Sequence, residues 1–395
     1  MSLPRPVYIV AATRTPIGAF QGALSSISAP HLGATAIKAA LERGKVAADQ
    51  VDEVFMGNVL SAGIGQAPAR QALIYAGLPD KVPATTVGKV CGSGLQAVVL
   101  GAKSIALQDA EIVVSGGMES MSNVPYYLPQ ARTGYRMGHG KLVDGMIHDG
   151  LWDPYGDFHM GVAGEKCAKE YNFTREEQDA YAKESFRRAL AAQKEGLFKN
   201  EIAAVSVAQK KGDALLVSED EGPPNGKPEK FPTLKPAFAK DGTITAANAS
   251  SINDGASALV LASEKAVKEQ NLTPIARIVG YGGAAQAPDW FTTAPSKAID
   301  ATLTKLGMKK EQIDLWEINE AFSCVTMACS KISGLDPAKV NVRGGAVALG
   351  HPIGASGARI LTTLLFAMRD HKVSRGLATL CIGGGEAVAV VVERV

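Results

Sequence analysis

The sequence predicts an α/β protein made of two similar halves, because three short motifs occur twice at almost constant spacing. The paired motifs lie at 49–52 and 311–314, at 92–94 and 355–357, and at 116–119 and 383–386, with spacings of 262, 263 and 267 residues. A fixed spacing of this kind is typical of internal duplication, although chance matching of short apolar patterns is the alternative. Each half alternates strand patterns with helical patterns, which predicts mostly parallel sheets covered by helices.

Length and composition agree with this fold class. The chain has 395 residues, of which 46% are hydrophobic and 42 are glycine, so an ordered protein of two to three domains with many tight turns is expected. The formal net charge of +2 gives no basic field that would attract nucleic acid. We therefore expect no nucleic-acid partner.

The cysteines and the first residues bear on the cellular location. Five scattered cysteines argue against a disulfide framework and for a reducing compartment. The apolar run near residue 10 is too short for a signal peptide, and the start lacks the pattern of an organelle presequence. No stretch approaches the ~18 apolar residues of a membrane span. The expected location is cytoplasmic, without a membrane partner.

Cys91 is the first candidate catalytic residue. It follows a short β-branched stretch that ends at Val90, and an apolar helical pattern comes after it. Gly92 and Gly94 predict a sharp turn, because glycine reaches backbone angles that other residues avoid. A thiol at the start of a helix would face unpaired N–H groups that favour the thiolate. By these residues alone, a buried structural cysteine is the alternative.

Two glycine-rich segments near the C-terminus carry His351 and Cys381. His351 lies between Gly350 and Pro352, which predicts a rigid loop able to present the imidazole to a cleft. Zinc binding is a competing interpretation, since cysteine and histidine are zinc ligands, but the spacing contains no paired ligand element. Cys381 could also be a small core residue on a strand.

Six motifs follow one another in a characteristic order. They are Val-Cys-Gly-Ser-Gly at 90–94, Ser-Gly-Gly-Met-Glu-Ser-Met-Ser at 115–122, Asn-Ala-Ser-Ser-Ile-Asn-Asp-Gly-Ala at 248–256, Asn-Glu-Ala-Phe at 319–322, the Gly-His-Pro loop within 344–357, and Cys-Ile-Gly-Gly-Gly at 381–385. This set resembles the thiolase family, most closely its acetoacetyl-CoA branch, and the resemblance runs from Val7 to Val395.

The resemblance implies the thiolase fold, in which two α/β halves form α-β-α-β-α layers and carry an inserted loop domain. The N-terminal half would comprise residues 1–119 and about 251–271, the insertion 120–250, and the C-terminal half 272–395. The insertion is expected to cover coenzyme A, and its early part to build the contact of a homotetramer, a dimer of dimers. Within it, Thr174 and Glu177 predict a capping box that opens a helix.

The resemblance also implies a reaction, the reversible Claisen condensation of two acetyl-CoA to acetoacetyl-CoA and CoA through an acetyl-cysteine. Cys91 would be the nucleophile, His351 its base and Cys381 the carrier of the α-proton. Asn319, through a water, and His351 would hold the enolate oxygen, and the N–H groups of Cys91 and Gly383 the oxyanion. Asn319 alone could also be a helix cap. No cofactor is required, and coenzyme A is substrate and product.

Other positions concern the substrate. His159 and Met160 resemble the short-chain branch, in which the methionine limits acyl length; a loop-to-helix junction is the alternative. Ser250 corresponds to the serine that binds the pantetheine amide. Apolar contacts along the coenzyme A tail are expected from Leu151, Phe238, Ala246, Ala321 and Phe322.

A potassium ion is expected as an activator in some related enzymes. Tyr155 stands four residues before His159, and backbone oxygens suit hard cations. The residues completing the site would be Ala246, Ala247, Ala249 and Val347. A packing tyrosine without an ion is the alternative.

Three function classes remain after these observations. A short-chain acetyltransferase is favoured over a longer-chain 3-ketoacyl-CoA thiolase of β-oxidation and over a non-catalytic acyl-CoA binding protein. A ketoacyl synthase would carry histidine or asparagine at position 381. The other cysteines, Cys167, Cys324 and Cys329, are predicted to be core residues, and the other histidines, His31, His139, His148 and His371, to lie on the surface or in loops.

Overall fold

The computed structural model describes residues 3–395. The strands are β1 Val7–Arg14, β2 Gly18–Ala19, β3 Glu53–Gly57, β4 Ala84–Val87, β5 Ile112–Ser120, β6 Tyr126–Tyr127, β7 Val143–Asp144, β8 Trp152–Asp153, β9 Phe158–His159, β10 Val205–Val207, β11 Leu215–Val217, β12 Asn253–Ser263, β13 Ala276–Ala285, β14 Leu315–Ile318, β15 Arg375–Ile382 and β16 Glu386–Arg394. The α-helices are α1 Ala29–Gly44, α2 Pro68–Tyr75, α3 Ser93–Ala106, α4 Met160–Glu170, α5 Arg175–Lys194, α6 Gly222–Asn225, α7 Glu264–Glu269, α8 Ala294–Leu306, α9 Ser323–Ser333, α10 Ala346–Leu349 and α11 Ile353–Asp370.

One large sheet contains a half-sheet from each half of the chain. Its strand order is β14-β15-β16-β13-β1-β12-β5-β3-β4, with β2 beside β12. Only β3/β4, β3/β5 and β14/β15 are parallel pairs, whereas the other pairs of this sheet are antiparallel. The prediction of mostly parallel sheets is therefore wrong. Strands β12 and β16 run antiparallel to the neighbours on both sides, and β1 and β13 are antiparallel to each other where the two half-sheets join.

The helices and half-sheets form five layers, which confirms the predicted architecture. Helices α1 and α2 cover the outer face of the N-terminal half-sheet, and α8 and α9 cover that of the C-terminal half-sheet. Between the two half-sheets lie α3 and α11, whose apolar side chains share one core with strands of both halves. Burial of apolar surface on both faces of each half-sheet stabilises this arrangement.

The two central helices touch at their backbones. A Cβ on Gly94 of α3 would stand 2.9 Å from the Ala358 nitrogen of α11, and one on Gly357 would overlap the Leu95 nitrogen. The duplicated Gly-Ser-Gly and Ala-Ser-Gly motifs therefore lie where the halves meet. This close crossing brings the starts of α3 and α11 to one place.

Residues 120–250 contain three short hairpins and the helices α4 to α6. The capping box at the start of α5 is present as predicted, because Thr174 Oγ1 accepts from Glu177 N at 3.2 Å and Glu177 Oε2 accepts from Thr174 N at 2.8 Å. After this segment the chain returns as β12, which lies between β1 and β5. Within residues 3–395, no helix combines the length and apolar character needed to cross a membrane.

Candidate active site

A cavity of about 280 Å³ opens where the starts of α3 and α11 meet the inserted segment. Candidate residues from both halves and from the insertion line it: Cys91, Leu151, His159, Met160, Phe238, Ala249, Ser250, Ala321, Phe322, His351 and Gly383. Its wall is mainly apolar, with few polar groups, as is common in small-molecule sites. The fold thus gathers residues that are up to 292 positions apart, from Cys91 to Gly383.

The turn before Cys91 is made by Val90 and not by the two glycines. Val90 has φ 45°, whereas Gly92 has φ −80°. A β-branched residue in the left-handed region is strained, and such strain persists where the surroundings hold it. The strand ends at Val87, three residues earlier than predicted. Gly92 serves close packing, since a Cβ there would overlap Ile382.

Cys91 is a partly buried thiol, and burial outweighs the helix end that was expected to favour its thiolate. Burial raises the pKa of Cys91 to about 11, and the negative charge of Glu119 adds to the rise. The N–H groups of Gly383 and of Cys91 itself point to the sulfur and act in the opposite direction. Because the thiol form dominates at neutral pH, a neighbouring base must remove the proton before the sulfur can attack.

His351 is the candidate base. Burial lowers its pKa to about 3, with the positive charge of Arg359 contributing, so the imidazole is neutral at pH 7 and has a lone pair that can accept a proton. Its Nδ1 lies 2.6 Å from Ser356 Oγ, and that hydroxyl donates to Pro352 O at 2.9 Å. A serine hydroxyl has only one proton, so Nδ1 carries the ring hydrogen and donates it to Ser356. Nε2 is therefore left with its lone pair and can accept a proton.

The backbone around His351 is fixed as the sequence predicts. His351 lies on the loop between α10 and α11, and its N–H donates to Asn253 Oδ1 at 2.9 Å. Gly350 has φ 109°, and a Cβ there would overlap the Asn253 side chain. Glycine is thus required twice over at position 350, by its backbone conformation and by the contact.

Asn319 contacts His351 and does not cap a helix. Its Nδ2 lies 3.4 Å from His351 Nε2 and 3.5 Å from Nδ1. Helix α9 begins only at Ser323, with Phe322 as its N-cap, so the helix-cap interpretation is wrong. Asn319 Oδ1 is buried and has no hydrogen-bond partner among residues 3–395, which leaves one polar atom beside the imidazole.

Cys381 lies beneath the cavity, at the end of β15. It is 1% exposed and packs in the outer core of the C-terminal half, so it is a core residue as one interpretation held. Burial raises its pKa well above the ordinary value, and the charge of an ionised Cys91 raises it further. Cys381 lies two residues before Gly383, whose N–H points to the Cys91 sulfur. Cys381 is therefore a protonated thiol in the same region as the candidate nucleophile.

His159 and Met160 form both a helix start and part of the cavity wall. His159 Nδ1 accepts from Gly161 N at 3.1 Å, and its ring stacks on Phe238 at 4.8 Å between centroids. Burial lowers the pKa of His159, so Nε2 carries the hydrogen and can donate. Met160 Sδ stands 3.5 Å from the position that a Cβ on Gly383 would take. Met160 thus faces the end of the cavity where Cys91 lies.

Some lining residues were missed by the sequence analysis. These are Met121, Ile252, Phe291 and Ile353, along with Val90, Gly150 and Ser251. Most of them lie inside or next to a recognised motif, which is the signal that could have found them. Phe291 comes from a 3₁₀ segment, Pro288–Thr293, that has no such signal. Conversely, Ala246 is exposed and does not line the cavity.

Tyr155 does not join the residues with which a potassium site was expected. Its side chain is 74% exposed, its ring lies beside Gly384, and its N–H donates to Asp153 Oδ1 at 2.9 Å. The turn between β8 and β9 therefore carries the phenol outward. The remaining residues lie elsewhere: Ala247 and Val347 in one buried cluster, Ala249 at the cavity and Ala246 exposed. The potassium site at these residues therefore stays a prediction.

The remaining cysteines and histidines are placed as predicted. Cys167, Cys324 and Cys329 are buried in the core, and His31, His139, His148 and His371 are exposed. No group of three or more His, Cys, Asp or Glu side chains within the described chain is arranged to hold a metal ion.

Comparisons with known proteins agree with this geometry. The model of the thiolase N-terminal domain matches residues 7–265, and that of the thiolase C-terminal domain matches residues 272–394. Acetyl-CoA acetyltransferase 1 from Arabidopsis thaliana is 54% identical over 392 residues, which cover 99% of this chain and 94% of that protein. Acetyl-CoA acetyltransferase from Pseudomonas aeruginosa is 53% identical over 98% of this chain and 99% of its own length.

Solved structures are equally similar. Acat5 thiolase from Ascaris suum, in complex with coenzyme A, superposes with a TM-score of 0.94 at 47% identity and covers 99% of this chain and 100% of that one. The acetyl-CoA acetyltransferase of Bacillus anthracis gives a TM-score of 0.97 at 41% identity, covering 99% of both chains. With two duplicated halves, five layers and one shared cavity beside Cys91, the chain belongs to the thiolase family.

Proposed function

We propose that this chain is an acetyl-CoA C-acetyltransferase, which joins two acetyl-CoA to acetoacetyl-CoA and CoA and catalyses the reverse cleavage. One observation carries the proposal most directly: the Cys91 thiol shares a cavity with His351, a neutral imidazole whose Nε2 is free to accept a proton. The relatives named acetyl-CoA acetyltransferase support the choice of substrate.

In the first half-reaction, His351 accepts the Cys91 proton and the sulfur attacks the thioester carbonyl of acetyl-CoA. The N–H groups of Cys91 and Gly383, which point to the sulfur, are suited to hold the oxyanion that forms there. The carbon–sulfur bond to CoA then breaks. The CoA thiolate leaves and takes up the proton of the Cys381 thiol, while His351 keeps the Cys91 proton and the acetyl group stays on Cys91.

In the second half-reaction, Cys381 moves the α-proton. In the cleavage direction the protonated Cys381 thiol donates its proton to the α-carbon of the departing acetyl-CoA enolate. Burial keeps that thiol protonated until the carbanion appears. In the synthetic direction, the Cys381 thiolate left after protonation of CoA removes the α-proton. The enolate then attacks the acetyl group on Cys91, and the released Cys91 thiolate takes back its proton from His351. The amide of Asn319 lies 3.4 Å from His351 Nε2. With the Cys91 proton on Nε2, the protonated His351 ring and this amide are proposed to donate to the enolate oxygen.

We propose that the predicted coenzyme A residues that line the cavity bind coenzyme A. Ser250 offers a hydroxyl for the pantetheine amide, and His159 offers Nε2–H. Apolar contacts come from Leu151, Phe238, Ala321 and Phe322. Because Ala246 is exposed outside this wall, it is not included. No cofactor is proposed, since each step uses only side chains, backbone N–H groups and coenzyme A.

A homotetramer in the cytoplasm is also proposed. Exposed apolar side chains are concentrated in the early part of the insertion, at Tyr126, Leu128, Met137 and Leu142. Contiguous exposed apolar surface of this kind usually marks a contact with another chain. The insertion is proposed to comprise residues 120–250, between an N-terminal half of 1–119 with about 251–271 and a C-terminal half of 272–395. Light scattering of the purified protein tests the tetramer.

Potassium as an activator also remains a proposal, at the residues that the sequence indicated: Tyr155, Ala246, Ala247, Ala249 and Val347. Backbone oxygens suit a hard cation, and Ala247 and Val347 lie in one buried cluster. The ion would order the loop without taking part in bond making.

The proposed function is tested by acetylation and by substrate length. Incubation with acetyl-CoA should add one acetyl group to the peptide that contains Cys91, as detected by mass spectrometry. Thiolysis rates for 3-ketoacyl-CoA from C4 to C16 should be highest at C4. Equal rates at C4 and C10 would indicate a longer-chain thiolase of β-oxidation, and absence of acetylation would indicate a binding protein.

A further inference from the structure

Glu119 is a buried carboxylate that the proposed reaction does not use. It is 0% exposed, on β5, and both oxygens are fully engaged. Oε1 accepts from Asn58 Nδ2 at 2.7 Å and Leu60 N at 3.2 Å, while Oε2 accepts from Val59 N at 3.1 Å and Gly354 N at 2.9 Å. A carboxylate without solvent needs such donors, so these four bonds determine where it lies.

The four donors come from two segments that flank the active site. Asn58 to Leu60 follow β3 in the N-terminal half, and Gly354 is in the first turn of α11, three residues after His351. Leu60 and Ile353 also pack in the apolar cluster that contacts Cys91. One carboxylate therefore connects the wall behind the nucleophile to the helix that follows the base.

Close packing against the N-terminal half also restricts the start of α11. The Gly354 carbonyl lies against glycines of the N-terminal half, so that a Cβ on Gly57 or Gly94 would stand 2.8 or 3.0 Å from it. An anion at the start of a helix is also stabilised by the unpaired N–H groups there. The position of Gly354 thus depends on contacts with the opposite half of the chain, and Glu119 supplies a charge among them.

We propose that Glu119 is a positioning residue, which holds the start of α11 so that His351 meets Cys91 in the geometry that acylation requires. This inference rests on the proposed function. It predicts that loss of the carboxylate slows proton transfer from Cys91 and leaves the binding of acetyl-CoA almost unchanged, because Glu119 does not line the cavity.

The variant Glu119→Gln keeps the shape of the side chain but places an NH₂ group against a backbone N–H. We expect the acylation rate, measured by rapid quench and mass spectrometry, to fall about 10- to 100-fold, with KM for acetyl-CoA nearly unchanged. The matched control is Glu386→Gln, at the corresponding position of the repeat. Glu386 has a 42% exposed side chain paired with Lys89, and its loss should leave acylation near that of the wild type.

Alkylation of Cys91 by iodoacetamide separates positioning from simple loss of structure. Besides burial, the charge of Glu119 raises the pKa of Cys91. Burial raises the pKa of Glu119 itself to about 7, opposed by the N–H groups that it accepts from, and the charge of Asp254 on β12 adds to the rise. Glu119→Gln should therefore alkylate faster than the wild type at pH 8 while it turns over more slowly. Glu119→Asp retains the charge but shortens the side chain, so it should acylate slowly and alkylate like the wild type.

The outcomes are distinct. Acylation by Glu119→Gln within twofold of the wild type would overturn the inference, as would a parallel loss of acylation and alkylation. If Glu119→Gln does not fold, the comparison of Glu119→Asp with the wild type decides the same question. Failure of the wild type itself to become acetylated would refute the proposed function, while the alkylation result would still stand.

Discussion

The repeated glycine motif at 116–119 and 383–386 forms a strand in the N-terminal half of the molecule and a turn in the C-terminal half. In the N-terminal half, Gly116 to Glu119 continue β5 and pair with β12. In the C-terminal half, β15 ends at Ile382, Gly384 and Gly385 have φ of 91° and 88°, and the chain reverses into β16. The third residue of the motif explains the difference, since Met118 occupies the place of Gly385 and a methionine is strained at such an angle.

Each form of the motif makes a contact at the start of the central helix of the other half. The N-terminal strand places Glu119 against Gly354 at the start of α11. The C-terminal turn points the Gly383 N–H at Cys91, just before α3. The comparison teaches that duplicated halves need not have the same role. One half carries the proposed nucleophile and a buried carboxylate, and the other carries the proposed base, the second thiol and the N–H group proposed to hold the oxyanion.

The largest expected effect comes from replacing the nucleophile of the N-terminal half. Cys91→Ser should lower acyl transfer on the order of 10⁴-fold or more, because a serine hydroxyl is far less ionised than a thiol at neutral pH. The fold should remain, as shown by circular dichroism and the melting temperature. Acetyl detected in the wild type only on another cysteine would remove Cys91 from this role.

The thiol of the C-terminal half should have a different task. Cys381→Ala should still become acetylated on Cys91, but condensation and cleavage should fall about 100- to 1000-fold, since general acid–base catalysis is lost. Mass spectrometry measures the first step, and acetoacetyl-CoA cleavage the whole reaction. If acetylation were lost as completely as in Cys91→Ala, the division between the two halves would be wrong.

The two forms of the motif can be compared directly by adding one methyl group to each. In Gly117→Ala the Cβ would overlap the Gly354 carbonyl, so we expect a loss of about 3 kcal/mol in the free energy of unfolding. In Gly384→Ala the nearest atom is 4.0 Å away, so only the left-handed backbone is strained, at about 1 kcal/mol. Urea unfolding measures both, and equal losses would contradict the assignment of close packing to one half and turn conformation to the other.

A smaller effect is expected at Met160, where the insertion meets the glycine turn. The wild type should lose kcat/KM steeply from C4 to C8, because longer chains would overpack the cavity end. Met160→Ala should relax this preference about tenfold, with some loss at C4 through looser positioning. A C4-to-C8 ratio unchanged by the substitution would assign the limit to other wall residues.

The smallest expected effect concerns potassium. At matched ionic strength, KCl should lower KM for coenzyme A substrates relative to NaCl and slightly raise the melting temperature, because the ion binds the ordered loop. Tyr155→Phe should reduce this difference, because it removes the phenol oxygen and keeps the ring. Identical kinetics in both salts would refute the proposal.

Much of the site could be predicted from the sequence because its residues are held by local, glycine-rich motifs. The loop around His351 is one example, since Gly350 and Pro352 restrict it on both sides. Other features depend on distant contacts and could not be read locally. Asn319 resembles a helix cap in sequence, but α9 begins four residues later, and only the packing of α11 brings the amide to the imidazole.

The sequence by itself determined the duplicated α/β halves, the family and the segments that carry the chemistry, because periodicity and motif order are local properties of the chain. Only the tertiary structure decided the sheet directions, the strained angle at Val90, the outward position of Tyr155 and the high pKa of the Cys91 thiol. The physical reason is that burial and close packing arise where distant segments meet. At Cys91, the loss of water outweighs the local N–H groups that would otherwise favour its thiolate.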